Sequence, residues 1–326
     1  MRVIAVTNAA APVAVGGYDP ENFLFANGIV LANNYAYLLS IGGYGKLDVF
    51  ALTNPATPTW IGGLRLDGAG GAAFAGNYAY IADGIAGLSI LDLSNPAAPM
   101  QVGSVTITNG YAENVAVDGG YAYVAYGNGG LQVFGVSDPA NPVWVGGYDT
   151  GGDAEGIAVS NGVAYVAARN AGVQIFSVTN PASPVLLSNY GTNHDCWDVT
   201  LAGNYAYVAD DWYGVQVLLV TNPAAPVPVC TLPASGAIGV SVVGSRIYVA
   251  DANNGLLVFC TVPQLQFTTR VEGGTPDLPI TIETATNLTG TTVWTPVLTT
   301  NCPPGPFEFT DSQISVPQKF YRAWQP

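Results

Sequence analysis

One short phrase returns six times along this chain, and its spacing limits the fold more than any other feature. It reads VTNAAAP at residues 6–12, LTNPATP at 52–58, LSNPAAP at 93–99, VSDPANP at 136–142, VTNPASP at 178–184 and VTNPAAP at 220–226. With the Asn or Asp as marker, the positions are 8, 54, 95, 138, 180 and 222, giving steps of 46, 41, 43, 42 and 42 residues. A period of this length in a strand-rich sequence predicts a propeller whose blades repeat once per period.

Aligned on a tyrosine motif, each unit offers four strand-like segments. The first is small and β-branched, as in NVAVD at 114–118 and GIAVS at 156–160. The second is NYAYIAD at 77–83, GYAYVAY at 120–126 and NYAYVAD at 204–210. The third is GLSILDLS at 87–94 and GVQIFSVT at 172–179, and the fourth follows the last Pro, as in PVWVGGY at 142–148. Alternation and Val, Ile and Tyr enrichment read as strands, with GN, GG and NG as hairpin turns. The phrase fixes two φ angles and removes two N–H donors, so it belongs to the loop before an outer edge strand. The small first segment is placed innermost, where strands crowd around one axis. Six first, second and third segments are countable, and the phrase fails after GLLVFC at 255–260. The expectation is therefore an all-β, six-bladed β-propeller in which residues 12–18 close blade six as its outer strand. Residues 1–6 read as a spare third-type strand with no place in this ring. A seven-bladed ring completed by tail strands is the alternative.

These units resemble the LVIVP-repeat family of bacterial propellers over about residues 1–262. The resemblance implies a large secreted or surface-attached bacterial protein and carries no general catalytic motif. From Gln264 the composition shifts toward Thr. The segments ETATNL, Trp294 and QKFYR resemble a C-terminal β module of secreted Verrucomicrobia-like proteins. The expected organisation is a propeller over 1–262 and a small β-sandwich-like module over 263–326.

Bulk properties exclude several classes. Acidic residues outnumber basic ones 22 to 8, for a net charge of −14. Nucleic acid and anionic membranes are therefore poor partners. No apolar run reaches transmembrane length. MRVIAVTN does not read as a signal peptide, and the expectation is a fragment or a chain whose leader is missing. The four cysteines at 196, 230, 260 and 302 form no CxxC pair, and one histidine cannot complete a zinc site. Two disulfides or buried free thiols both remain open. No GxSxG elbow or P-loop occurs, and Asp195 adjoins His194 too closely for a triad.

The channel mouth carries the candidate site, because there the repeat stops repeating. The aligned mouth position holds Asn27, Gly70, Glu113, Glu155, Trp197 and Ile238, and two residues earlier stand Phe25, Gly68, Tyr111, Asp153, Asp195 and Gly236. Candidate ligand-binding residues are Glu113, Asp153, Glu155, Asp195, Trp197 and Tyr111. Glu155, Asp195 and Asp198 form a candidate Ca²⁺ site, since a hard cation needs several oxygens. Trp197, Tyr111 and Trp212 would stack on a sugar, with carboxylates bonding its hydroxyls. Paired carboxylates also suit a glycosidase. A solvated acidic rim without function is the plain alternative. Asp83, Asp210 and Asp251 recur as turn residues, the repeated tyrosines are packing, and Trp60, Trp144 and Trp294 are read as packing too. The expected function is a non-enzymatic extracellular or cell-surface propeller that binds a protein or glycan, with Ca²⁺ as the one conceivable cofactor. The rival is a secreted polysaccharide hydrolase or lyase.

Overall fold

The structure, a computed structural model, describes residues 1–7, 12–18, 25–41, 45–108, 110–192 and 194–260, together with the backbone of five later strands. No helix occurs among the described residues. The chain divides into two units, Met1–Phe259 and Cys260–Pro326.

A short hairpin comes first, β1 (Arg2–Ala5) with β2 (Val13–Gly17). Blade one is β3 (Phe25–Ala32), β4 (Tyr35–Ile41), β5 (Lys46–Ala51) and β6 (Thr59–Arg65). Blade two is β7 (Ala69–Ala75), β8 (Tyr78–Asp83), β9 (Leu88–Asp92) and β10 (Met100–Val105). Blade three is β11 (Asn114–Asp118), β12 (Tyr121–Ala125), β13 (Leu131–Gly135) and β14 (Val143–Tyr148). Blade four is β15 (Gly156–Ser160), β16 (Val163–Ala167), β17 (Val173–Ser177) and β18 (Val185–Tyr190). Blade five is β19 (Asp198–Ala202), β20 (Tyr205–Ala209), β21 (Val215–Leu219) and β22 (Val227–Leu232). Blade six has three strands, β23 (Ala237–Val243), β24 (Arg246–Asp251) and β25 (Gly255–Cys260). Each sheet runs in antiparallel chain order, so the protein is a six-bladed propeller.

The expected closure is different in detail. Residues 12–18 add no strand to blade six; β2 pairs with β1 instead. The otherwise unplaced residues 1–6 thus gain a role. β1 pairs with β2 as each third strand pairs with its fourth, down to the bulge between Val3 and Ile4 that recurs between Val49 and Phe50 and between Ile175 and Phe176. The hairpin spans from blade one to blade six: Tyr18 packs on Phe50, and Arg246 Nη2 donates to the Thr7 carbonyl at 3.3 Å.

Burial is concentrated between blades. The second and third strands supply most of it, and the inner strands pack side by side from β3 to β23. One core cluster joins Tyr80, Leu88 and Ile90 of blade two to Val115, Val124 and Phe134 of blade three, and others repeat this at neighbouring joints. In the YAY motif the second tyrosine is buried and the first half-buried, as at Tyr123 and Tyr121. A propeller is thus stabilised joint by joint, as repeat arrays are.

The recurring phrase makes that joint. Asn95 Oδ1 accepts from Ala97 N and its carbonyl from Ala98 N, an Asx turn repeated at Asn54, Asp138 and Asn222. The turn lies under the outer strand of the preceding blade. A Cβ on Gly62, Gly103 or Gly146 would collide with the backbone of the next blade's phrase at Ala97, Pro139 or Ala182. Blade four has Ser188 at this position, and its hydroxyl donates to the Pro223 carbonyl at 2.6 Å.

The second unit has two small sheets. One pairs β26 (Phe267–Val271) with β29 (Phe307–Asp311); the other orders β28 (Thr295–Asn301), β27 (Pro279–Ala285) and β30 (Phe320–Trp324). Trp294 and Cys302 lie outside the described residues. Cys196 and Cys230 are free thiols. Trp60 and Trp144 are not core residues: both are exposed on outer strands, with their indole N–H bonded to Asp48 and Gln132.

Candidate functional site

All six residues at the aligned mouth position line one cavity of about 580 Å³ on the propeller axis: Asn27, Gly70, Glu113, Glu155, Trp197 and Ile238. Each lies at or next to the start of an inner strand, so one position in the repeat becomes one ring around the axis. Asn114 and Asp198, one residue further on, line it too.

Glu113 and Glu155 have different surroundings. Burial, the Glu155 charge and then Asp153 push Glu113 up to about 7, with Arg169 partly offsetting them. Burial also raises Glu155, and Arg169, whose Nε donates to Glu155 Oε1, offsets that rise in part. The same guanidinium lies 4.0 Å from the centre of the Trp197 ring, within cation–π range. Trp197 Nε1 is buried without a hydrogen-bond partner among the described residues.

Arg169 is the residue that sequence reading missed. It sits in the turn after β16, where blades two and three have Gly84 and Gly127. Its φ is 42°, close to the 56° and 50° of those glycines. That left-handed conformation is unfavourable for a long side chain and costs on the order of 1 kcal/mol. Blade five shows the same departure at Asp211, φ 46°. The available signal was a long charged side chain at a turn position that blades two and three give to glycine.

The other candidates divide. Asp153 and Asp195 raise the carboxyls electrostatically without lining the cavity. Tyr111 is partly exposed and stands against Gly68 and Gly84 of blade two. Asp198 is committed to backbone: Oδ1 accepts from Val199 N at 2.8 Å and Oδ2 from Val240 N at 3.0 Å, tying β19 to β23. Burial raises its pKa and these two bonds lower it in part. No group of three or more His, Cys, Asp or Glu side chains among the described residues is placed to hold a metal ion. Trp212 is exposed, and the neighbouring Tyr213 stacks on His194 with centroids 3.8 Å apart.

The turn aspartates are structural. Asp83 Oδ1 accepts from Asp67 N and Gly68 N and Oδ2 from Ser89 Oγ, bracing the loop that enters β7. Asp251 accepts from Ser235, Asn253 and Asn254 N; burial would raise it, but these bonds bring it to about 2.

Solved structures share this architecture at low identity. A functionally unknown protein from Desulfotomaculum acetoxidans is similar over 78% of this chain and 87% of its own, at 14% identity and a TM-score of 0.61. A structure described as U3-55K is similar over 75% of this chain and 79% of its own, at 9% identity and a TM-score of 0.59. Sqt1 from Chaetomium thermophilum is similar over 70% and 67%, at 15% identity and a TM-score of 0.55. Such likeness speaks for the fold alone. No curated protein matches the chain. The family described as LVIVD repeat matches residues 69–107, 109–150, 151–192, 194–231 and 236–259, one blade after another and more than half of the chain. The repeat resemblance named LVIVP above is this family, and the chain belongs to the LVIVD-repeat family.

Proposed function

We propose that the protein is an extracellular binding propeller that takes an uncharged, hydroxyl-rich ligand, a glycan, at the channel cavity. The observation that carries this reading is the convergence of Glu113, Glu155 and Trp197 on one cavity, with Arg169 joining the last two. A carboxyl near neutrality in its pKa offers both donor and acceptor, a paired carboxylate offers acceptors, and an indole offers an apolar face. The overall charge of −14 disfavours anionic ligands.

The test is a screen against neutral and acidic oligosaccharides and polysaccharides, with Ca²⁺ and with a chelator. Binding of a neutral glycan that Trp197→Ala and Glu155→Gln weaken at least tenfold supports the reading. A loss of binding in chelator would mean that Ca²⁺ assists. Absence of any glycan binding would refute the reading and favour a protein partner.

One observation favours a second reading, a polysaccharide hydrolase. Burial raises both carboxyls, Glu113 to about 7, while the hydrogen bond and charge of Arg169 oppose the rise at Glu155, an asymmetry that suits an acid and a base. Release of reducing ends from a bound polysaccharide, abolished by Glu113→Gln, would establish it.

A further inference from the structure

We propose that the seam between blade six and blade one is a docking cleft for a two-stranded β-hairpin with the repeat's own first- and second-strand pattern, supplied by a partner.

The hairpin β1–β2 is the outer half of a blade. Its bulge recurs in blades one to five. Tyr18 meets Phe50 at 4.9 Å and 58°, as Tyr148 meets Phe176 at 4.9 Å and 58°. Gly16 stands against Ala56 as Gly62 stands against Ala97. In every four-stranded blade the third strand also pairs with a second strand; β1 pairs with β2 alone. An edge of this kind is a template for added strands.

The two faces flanking the inner half of this position are apolar and uncovered. Ile29 of β3, which also lines the channel cavity, is 51% exposed, whereas Val115 and Ile157 at the same repeat position are 4% and 6% exposed. Leu31 is 68% exposed. Ala26 is exposed where Ala69, Ala112, Ala154 and Ala237 are buried. Across the seam, Leu256 is 37% exposed where Leu88 and Leu131 are 0% exposed, and Ala250 is exposed where Ala125 and Ala209 are buried.

The backbone agrees. Consecutive blades from two to six are bridged by Gly84↔Ala112, Gly127↔Ala154, Arg169↔Cys196 and Asp211↔Ala237. The next pair in that series is Ala252 and Ala26. Ala252 N instead donates to Gly236 O within its own blade, and no bridge joins blade six to blade one among the described residues. Blade one therefore presents to the seam a surface that every later blade buries against its predecessor. The occupant follows from continuity with those joints: a small-residue inner strand and a YAYVA-type strand, about a dozen residues long.

The experiment uses the full chain and a synthetic hairpin of residues 197–210 of this sequence. Expected are one-to-one binding, a higher melting temperature, and at least tenfold weaker binding by Leu31→Asp with no effect of Trp60→Asp. Binding that ignores Leu31→Asp overturns the proposal. A second arm fuses the same hairpin directly before Met1 and reads amide exchange. Protection of β1 and of the segment 26–31 supports the proposal; unchanged exchange in both overturns it, whatever the free peptide does. A chain that is already a dimer, and that Leu31→Asp makes monomeric, would name a second copy as occupant and overturn the hairpin. Deletion of 261–326 that newly opens binding would name the chain's own tail and overturn it equally.

Discussion

Arg169 donates from Nε to Glu155 while its guanidinium rests 4.0 Å from the centre of the Trp197 ring. One side chain from a turn of blade four thus holds a carboxylate of its own blade and an indole of the next. The arrangement costs backbone strain at φ 42° and places a lone cation among Glu113, Asp153, Glu155 and Asp195. Replacing Arg169 by Ala is expected to raise the pKa of Glu155, since the charge and hydrogen bond that oppose burial are both lost. Carboxyl titration followed by NMR measures this; an unchanged Glu155 would show that the pair has no electrostatic role.

Glu113 makes stability depend on pH. Its pKa moves from 4.5 to about 7 on folding. Between these values the folded chain binds more protons than the unfolded one, so stability falls as pH rises through this window and levels off above it. Melting temperatures from pH 4.5 to 8 are expected to show that fall, and Glu113→Gln is expected to flatten it. Asp251 acts in the opposite sense. With a folded value of about 2, its contribution is present above the ordinary aspartate range and is lost as pH drops toward 2.

The joints respond to single atoms. A Cβ at Gly146 would stand 2.6 Å from the Ala182 carbonyl oxygen, so Gly146→Ala is expected to destabilise by about 1–3 kcal/mol. Ser188→Ala removes the bond to Pro223 and is expected to cost about 1 kcal/mol. Urea denaturation separates the two.

Asp211 carries strain without an ion pair among the described residues. Its φ of 46° suits glycine, and Asp211→Gly is expected to stabilise by about 0.5–1 kcal/mol. Arg169→Gly relieves the same strain but loses Glu155, so its net gain is expected to be smaller. Thermal melting of both variants side by side tests the difference.

Cys196 is expected to resist thiol reagents at pH 8 in the native state. Burial is the main cause of its pKa of about 12, and it is fully enclosed beside Asp210. Labelling at a rate equal to that in denaturant would contradict this.

The blades were legible in the sequence because repetition averages out local ambiguity: six copies of one pattern fix strand order, turns and the innermost segment together. The mouth position was legible for the same reason, since Glu113, Glu155 and Trp197 stand where other units carry Gly70 or Ile238. What stayed hidden depends on contacts between units. Arg169 looked like an ordinary turn residue because its partners lie 14 residues upstream and in the next blade. Asp198 read as a metal ligand because nothing local reveals that Val240 N, 42 residues away, claims its second oxygen. The seam was misread because residues 12–18 have the pattern of an outer strand wherever they pair.

The turn seated under each preceding outer strand has a geometric consequence. The rotation from one blade to the next is set at a local contact, written again in each of the four-stranded units. The circumference of the molecule is then a sum of inherited angles rather than a condition imposed by closure. A gene of this kind can lengthen or shorten by one unit without inventing a new interface, because each unit already carries the instruction for where its neighbour stands.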